Sequence, residues 1–106
     1  MRILPDPILF IWDAGNTEKS AAKHKVYPTE AEQAFFDQYR KLWKDVPHSR
    51  MEPRYILLGQ SDTLQILFIV FTVRADRVRV ISARPANKKE RIMYATAKEA
   101  KKTATT

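Results

Sequence analysis

Leu64-Gln65-Ile66-Leu67-Phe68-Ile69-Val70-Phe71-Thr72-Val73 is almost wholly apolar, and Arg77-Val78-Arg79-Val80-Ile81-Ser82-Ala83 follows it closely with a clear alternation. The first run suits a central strand covered on both faces. In the second, Val78 and Val80 point one way and Arg77 and Arg79 the other, the pattern of a strand with one wet face. Ala75-Asp76 is short enough for a tight hairpin between them. Pro85 ends the second strand.

Upstream, Pro53 to Leu58 reads as a third strand, and Gly59-Gln60-Ser61-Asp62 turns the chain into the apolar run. The three strands form an antiparallel meander. Downstream, Asn87 and Glu90 have capping-box spacing, so a helix is predicted to begin near Lys88. Its charged end, Lys98 to Thr106, is expected to fray. Near the N-terminus, Ile8 to Trp12 reads as a short strand after Pro5 and Pro7. Asp13-Ala14-Gly15-Asn16 is turn chemistry, and Thr17 to His24 is compatible with a polar helix. Tyr27-Pro28 breaks that helix. Thr29 and Glu32 then have capping-box spacing, and Ala31, Ala34, Phe35, Gln38 and Leu42, widened by Phe36, Tyr39 and Trp43, predict a second helix over 30–43. The expected order is β-α-α-β-β-β-α, an α+β fold with helices packed on a mostly antiparallel sheet. Residues 1–97 are expected to form one domain, with 98–106 as a charged tail.

A chain of 106 residues with 44% hydrophobic side chains has material for one core and not two. The absence of cysteine excludes disulfides, thiolate zinc sites and cysteine nucleophiles, and agrees with a reducing compartment. Ile66 to Phe71, the longest apolar stretch, falls far short of the ~20 residues of a membrane span. The start of the chain lacks the layout of a signal peptide. A cytoplasmic protein is therefore expected.

The net charge of +7 is unevenly placed: residues 1–50 carry eight Lys/Arg and seven Asp/Glu, and residues 51–106 carry eleven and five. Arg74 to Arg91 alone holds seven basic and two acidic residues. A field this local favours a polyanion, either nucleic acid or an acidic protein.

Metal chemistry finds little support. His24 and His48 fall in different elements, with no HExxH, DxD or clustered carboxylates beside them. Two glycines in the whole chain leave no phosphate-cradling loop. A basic, metal-free site favours RNA over DNA, because RNA carries its own nucleophile in the 2′-OH. Cleavage then needs proton transfer, suited to histidine or glutamate, and stabilisation of negative charge on phosphorus, suited to arginine. Arg54, Arg74, Arg79 and Arg84 lie at strand positions or strand ends, and His24 and Glu52 are available as acid or base. Each residue also has a plainer reading. A basic strand face can be merely solvated, His24 can be a surface histidine, Glu52 and Arg54 can form structural ion pairs, Trp12 and Trp43 can be core, and Tyr94 can be either core or RNA contact.

Ordered motifs add to this reading. Trp12-Asp13-Ala14-Gly15-Asn16 leads through Lys19 to Lys23-His24 and Val26. Glu30-Ala31 precedes Phe35-Phe36-Asp37. His48-Ser49, Glu52, Arg54-Tyr55 and Leu58-Gly59 follow, then Leu67 to Thr72 with Arg74, then Arg79-Val80-Ile81-Ser82-Ala83-Arg84-Pro85, and last Lys88-Lys89-Glu90-Arg91 with Tyr94. In this order, over about residues 9 to 96, the chain resembles the BrnT family of type II toxins. It departs from the family pattern at Ser20, at Lys25 and in the hairpin after Gly59. The resemblance implies a RelE-like ribonuclease fold, toxicity by RNA cleavage, no cofactor, and neutralisation by a BrnA-like ribbon-helix-helix antitoxin in a 2:2 complex that binds DNA through the antitoxin. It implies His24, Glu52, Arg54, Arg74 and Arg84 as catalytic residues, with Lys19, Lys23, Arg77, Arg79, Lys88, Arg91 and Tyr94 as RNA contacts. The rival expectation is a degenerate, non-catalytic module that only binds nucleic acid or its antitoxin.

Overall fold

The two-residue link between the apolar run and the arginine-rich run forms the tight hairpin its length demands. In the computed structural model, which describes residues 3–13, 15 and 26–104, β4 (Ile66–Arg74) pairs antiparallel with β5 (Arg77–Pro85), starting at Arg74 opposite Arg77. Ala75 and Asp76 both take positive φ, 50° and 61°. That is the backbone twist a two-residue hairpin requires. β3 (Tyr55–Gln60) pairs antiparallel with the other edge of β4, and β1 (Phe10–Ile11) adds in parallel to β5. With β2 (Lys41–Lys44) the sheet has five strands in the order β1-β5-β4-β3-β2.

One face of the sheet carries the main core. Leu57, Leu67, Ile69, Phe71, Val78, Val80 and Ala83 are buried there against Ala31, Ala34 and Phe35 of α1 (Pro28–Phe35). Phe35 meets Phe71 and Phe10 edge-on, with ring centres 5.0 and 5.1 Å apart. The opposite face is covered by α2 at one end only. There Leu58 and Phe68 pack with Tyr94 and Met93 of α2 (Lys88–Ala104), and with Tyr39 and Trp43.

A β-bulge divides β5. Val70 pairs with Ser82 but Phe71 pairs with Val80, so Ile81 is an extra residue. Before the bulge the even residues Val78 and Val80 face the main core; after it the odd residue Ala83 does. Ser82 and Arg84 are thereby turned to the same face as Arg77 and Arg79.

The expected helix over 30–43 stops at Phe35, and Lys41–Lys44 is instead an edge strand paired with Tyr55 to Leu58. The observed order therefore has a strand between α1 and the meander. The side chain of Asp37 accounts for the stop: its carboxylate accepts from the Tyr39 N–H at 2.9 Å and from the Gln60 N–H of β3 at 2.8 Å. The free edge of β3 then takes up Leu42 and Trp43, which have good strand propensity. The α1 start also differs. Tyr27 precedes Pro28 at the first helical turn, and Glu30 accepts from the Tyr27 N–H at 3.4 Å. Glu32 turns outward to accept from Trp12 Nε1 at 2.7 Å. The capping box expected at Asn87 and Glu90 is present, with both reciprocal bonds at 2.9 Å. α2 continues to Ala104 and so takes in most of the charged segment after Lys98. The helix predicted over Thr17 to His24 lies outside the described residues.

Gly59 is fixed by a close approach. A Cβ there would lie 2.4 Å from the Ala34 carbonyl oxygen and 3.0 Å from Leu57 Cδ2. Backbone of α1 cannot yield as a flexible side chain can. Gly59→Ala is expected to cost about 1–3 kcal/mol of stability, read as a lower urea midpoint at unchanged slope. A variant as stable as the parent would show that α1 is not seated on β3 at this point.

Candidate active site

The strand register collects arginines on the second face, Arg84 at the end beside α2 and the others beyond it. Thr72 pairs with Arg79, Arg74 with Arg77, and Phe68 with Arg84, all on the face that also holds Ile56 and Val70. Arg54, two residues before Ile56, joins that row. A cleft of about 390 Å³ lies beside Arg54 on this face, floored by Ile56, Phe68, Val70 and Ile81 and edged by Asp45, His48, Arg54 and Ser82. A smaller cleft of about 240 Å³ adjoins it, lined by Pro47, His48, Arg50, Met51, Glu52 and Arg54.

Two carboxylates orient two of the arginines. Glu52 accepts from Arg74 Nε at 3.1 Å and Nη2 at 2.7 Å. Hydrogen bonding to Arg74 holds the Glu52 carboxyl below the usual carboxylate range against the opposing effect of desolvation, and the charges of Arg74, Arg54 and Arg79 add to the lowering. Glu52 is therefore an anion near neutral pH. At the other end, Glu90 accepts from Arg84 Nη1 and Nη2 at 2.8 and 2.9 Å, while the guanidinium lies 4.1 Å over the Phe68 ring. Arg79 Nη1 reaches Asp13 Oδ2 at 2.6 Å, close to Gly15. Among the described residues Arg54 makes no ion pair with a carboxylate.

Glu52, Arg54, Arg74, Arg77, Arg79 and Arg84 thus share one face. The helical candidates are placed apart. Lys88 and Arg91 are exposed on the first turn of α2, and Arg91 donates to the Ala86 carbonyl at 2.8 Å. Tyr94 is only 2% exposed and donates its hydroxyl to Asp37 Oδ2. Burial and this bond to a carboxylate push its pKa far upward. It is a packing residue in this structure, and the surface position expected of an RNA contact is not where the chain puts it. Lys19, Lys23 and His24 lie outside the described residues. His48, which the sequence offers as part of an ordered motif and not as a candidate site residue, edges both clefts. Among the described residues no group of three or more His, Asp or Glu side chains could gather round a metal ion.

The family model described as "Ribonuclease toxin, BrnT, of type II toxin-antitoxin system" matches residues 12–90. The chain belongs to the BrnT family. No curated protein matches it significantly. As a BrnT family member it is a ribonuclease toxin of a type II system, which implies an RNA target and an antitoxin partner. The matched span runs from the residue after β1 to the first turn of α2 and includes every arginine of the open face. No helix among the described residues is long and apolar enough to cross a membrane.

Two expected outcomes follow from these contacts. Tyr94→Phe removes a bond to a carboxylate that keeps its two backbone donors, so it should lower stability by about 1.5–3 kcal/mol in urea unfolding and leave RNA affinity unchanged. A loss of affinity without loss of stability would return Tyr94 to the RNA site. The second concerns acid. Arg84 holds the Glu90 carboxyl below its ordinary value of 4.5. A depressed carboxylate stabilises the fold above its unfolded pKa, and that contribution is lost as pH falls through the folded value. Between about pH 5 and about pH 3 the parent should therefore lose more stability than Glu90→Gln. Equal losses in urea titrations at the two pH values would show that the pair is not formed.

Proposed function

We propose that this BrnT family toxin cleaves RNA without a metal ion, on the open face of the sheet. The 2′-oxygen attacks the adjacent phosphorus, the P–O5′ bond breaks, and the products are a 2′,3′-cyclic phosphate and a 5′-hydroxyl. Arg74, with Arg54 in support, holds the scissile phosphate and stabilises its developing charge, and Arg84, which pairs with Phe68 further along the same strand, seats a neighbouring phosphate and so aligns the bond to be cut. His24 or Glu52 moves the proton. Arg77, Arg79 and the lysines Lys19, Lys23 and Lys88 steer the rest of the strand.

The observation that carries this reading is the arginine face itself: Arg54, Arg74, Arg79 and Arg84 lie on one side of the sheet, the first three beyond the end that α2 covers and Arg84 at the margin of the helix, paired with Glu90. The carboxylate pairs do not disable these groups. A guanidinium has five N–H donors, and a bidentate carboxylate occupies two of them. The donor set also suits a metal-free route, since it offers fixed cations and proton carriers. The fold belongs with RelE-like ribonucleases on this reading. The same basic face is the target of a BrnA-like ribbon-helix-helix antitoxin, in a cytoplasmic 2:2 complex that reaches DNA through the antitoxin.

Expression alone should arrest growth with loss of bulk RNA integrity, and co-expression with the neighbouring antitoxin gene should restore both. Arg74→Ala and Arg84→Ala should each lower the cleavage rate on the order of 10²–10³, as at comparable anion sites. Salt-sensitive binding to RNA that stays intact would replace cleavage with a binding module. A tight antitoxin complex with neither toxicity nor RNA binding would mark a degenerate toxin.

A further inference from the structure

His48 is held by a device that serves no packing need. Asp45 follows β2 directly, and its carboxylate lies 3.0 Å from His48 Nδ1 through both oxygens. A histidine whose Nδ1–H is held this way presents Nε2 outward. The His48 side chain is 69% exposed, while Asp45 is 13% exposed. The intervening 3-10 turn (Val46–His48) is clipped at both ends to Arg54, the residue before β3. The Asp45 N–H donates to the Arg54 carbonyl at 2.8 Å, the Ser49 hydroxyl donates to the Asp45 carbonyl at 2.7 Å, and the Arg54 N–H donates to Ser49 Oγ at 2.9 Å. This clip ties the backbone that carries His48 to the backbone that carries Arg54. Both side chains then edge the same two clefts.

Resting on the ribonuclease reading above, we propose that His48, oriented by Asp45, is the general acid that protonates the leaving 5′-oxygen. The P–O5′ bond breaks, its electron pair stays on O5′, and the proton on Nε2 passes to that oxygen, leaving a neutral ring. The charged or titratable groups that line the clefts with His48 are Asp45, Arg50, Glu52 and Arg54. The arginines keep their protons. Glu52, bound by Arg74, is ionised and can accept a proton but has none to give. His48 is the group among these whose chemistry suits handing a proton to a leaving oxygen. Asp45 is a positioning residue: it touches the histidine and not the RNA.

The test uses the full-length protein and an oligonucleotide spanning a cleavage site mapped with the parent, made in two forms. One is all-oxygen RNA; the other carries a bridging 5′-sulfur at the scissile bond, and thiolate leaves without a proton. His48→Gln should lose about 10²–10⁴ in rate on the oxygen substrate and cleave the sulfur substrate close to the parent rate. Asp45→Asn should show a smaller loss with the same rescue. Affinity for the 2′-deoxy form of the oligonucleotide, which cannot be cut, should be unchanged in both variants. Parent-like cleavage of the oxygen substrate by His48→Gln would overturn the proposal, as would equal loss on both substrates or loss of affinity for the uncleavable form. A parent that cuts neither substrate would instead remove the ribonuclease reading on which this one rests.

Discussion

Between Val70 and Ser82 the ladder of β4 and β5 gains one residue, and the rest of the open face depends on that irregularity. In an unbulged strand Arg77 and Arg79 would share a face with Ile81 and Ala83, while Arg84 would point into the main core. A guanidinium there would meet Leu67 and Ile69 with no water and no carboxylate, at a cost of several kcal/mol. Inserting Ile81 reverses the parity. Ala83, small enough for the crowded core, goes inward, and Arg84 goes outward to lie on Phe68 beside Glu90. One bulge thus satisfies the core and completes the arginine set at once.

Asp37 plays a corresponding part at the other end of the molecule. Its carboxylate accepts from the N–H groups of Tyr39 and Gln60 and from the Tyr94 hydroxyl. These three donors belong to the turn after α1, to β3 and to α2. The interaction ends α1, starts the turn into β2 and fixes where α2 crosses the second face. Because α2 is anchored there, it covers Leu58 and Phe68 and stops short of Val70 and Thr72. The exposed part of the face is a consequence of where the helix is tied down.

Local pattern made some of this legible in the sequence. The apolar run of β4, the alternation at the start of β5, the two-residue hairpin and the capping box at Asn87 and Glu90 are each short-range signals, and each has its counterpart in the structure. What escaped notice is non-local. The end of α1 is set by a side chain that bonds Gln60, across 23 positions, so the apolar spacing from Ala31 to Leu42 reads as one helix when it is a helix, a turn and a strand. The bulge leaves no mark in composition, since Val80, Ile81 and Ser82 fit a strand in either parity. Arg54, Arg74, Arg79 and Arg84 could be seen as strand residues in a meander; their common face needed the register. His48 needed more, because its pairing with Asp45 at i,i+3 falls in a proline-containing turn with no periodic signal.

The two clamped arginines show how such a face can be made ready for a phosphate. Exposed ion pairs such as Arg74 with Glu52 stabilise a fold by only about 0–1 kcal/mol, so stability alone gives little reason to hold a long side chain in two bonds. Arginine has about 2 kcal/mol of rotamer entropy to lose. When Glu52 and Glu90 fix the guanidiniums at folding, that loss does not recur on binding, and the spare N–H donors are already held in place when RNA arrives. The carboxylates also reduce the net field, which weakens unselective binding to any polyanion while leaving directional donors in place. Geometry, more than total charge, then discriminates a correctly seated phosphate.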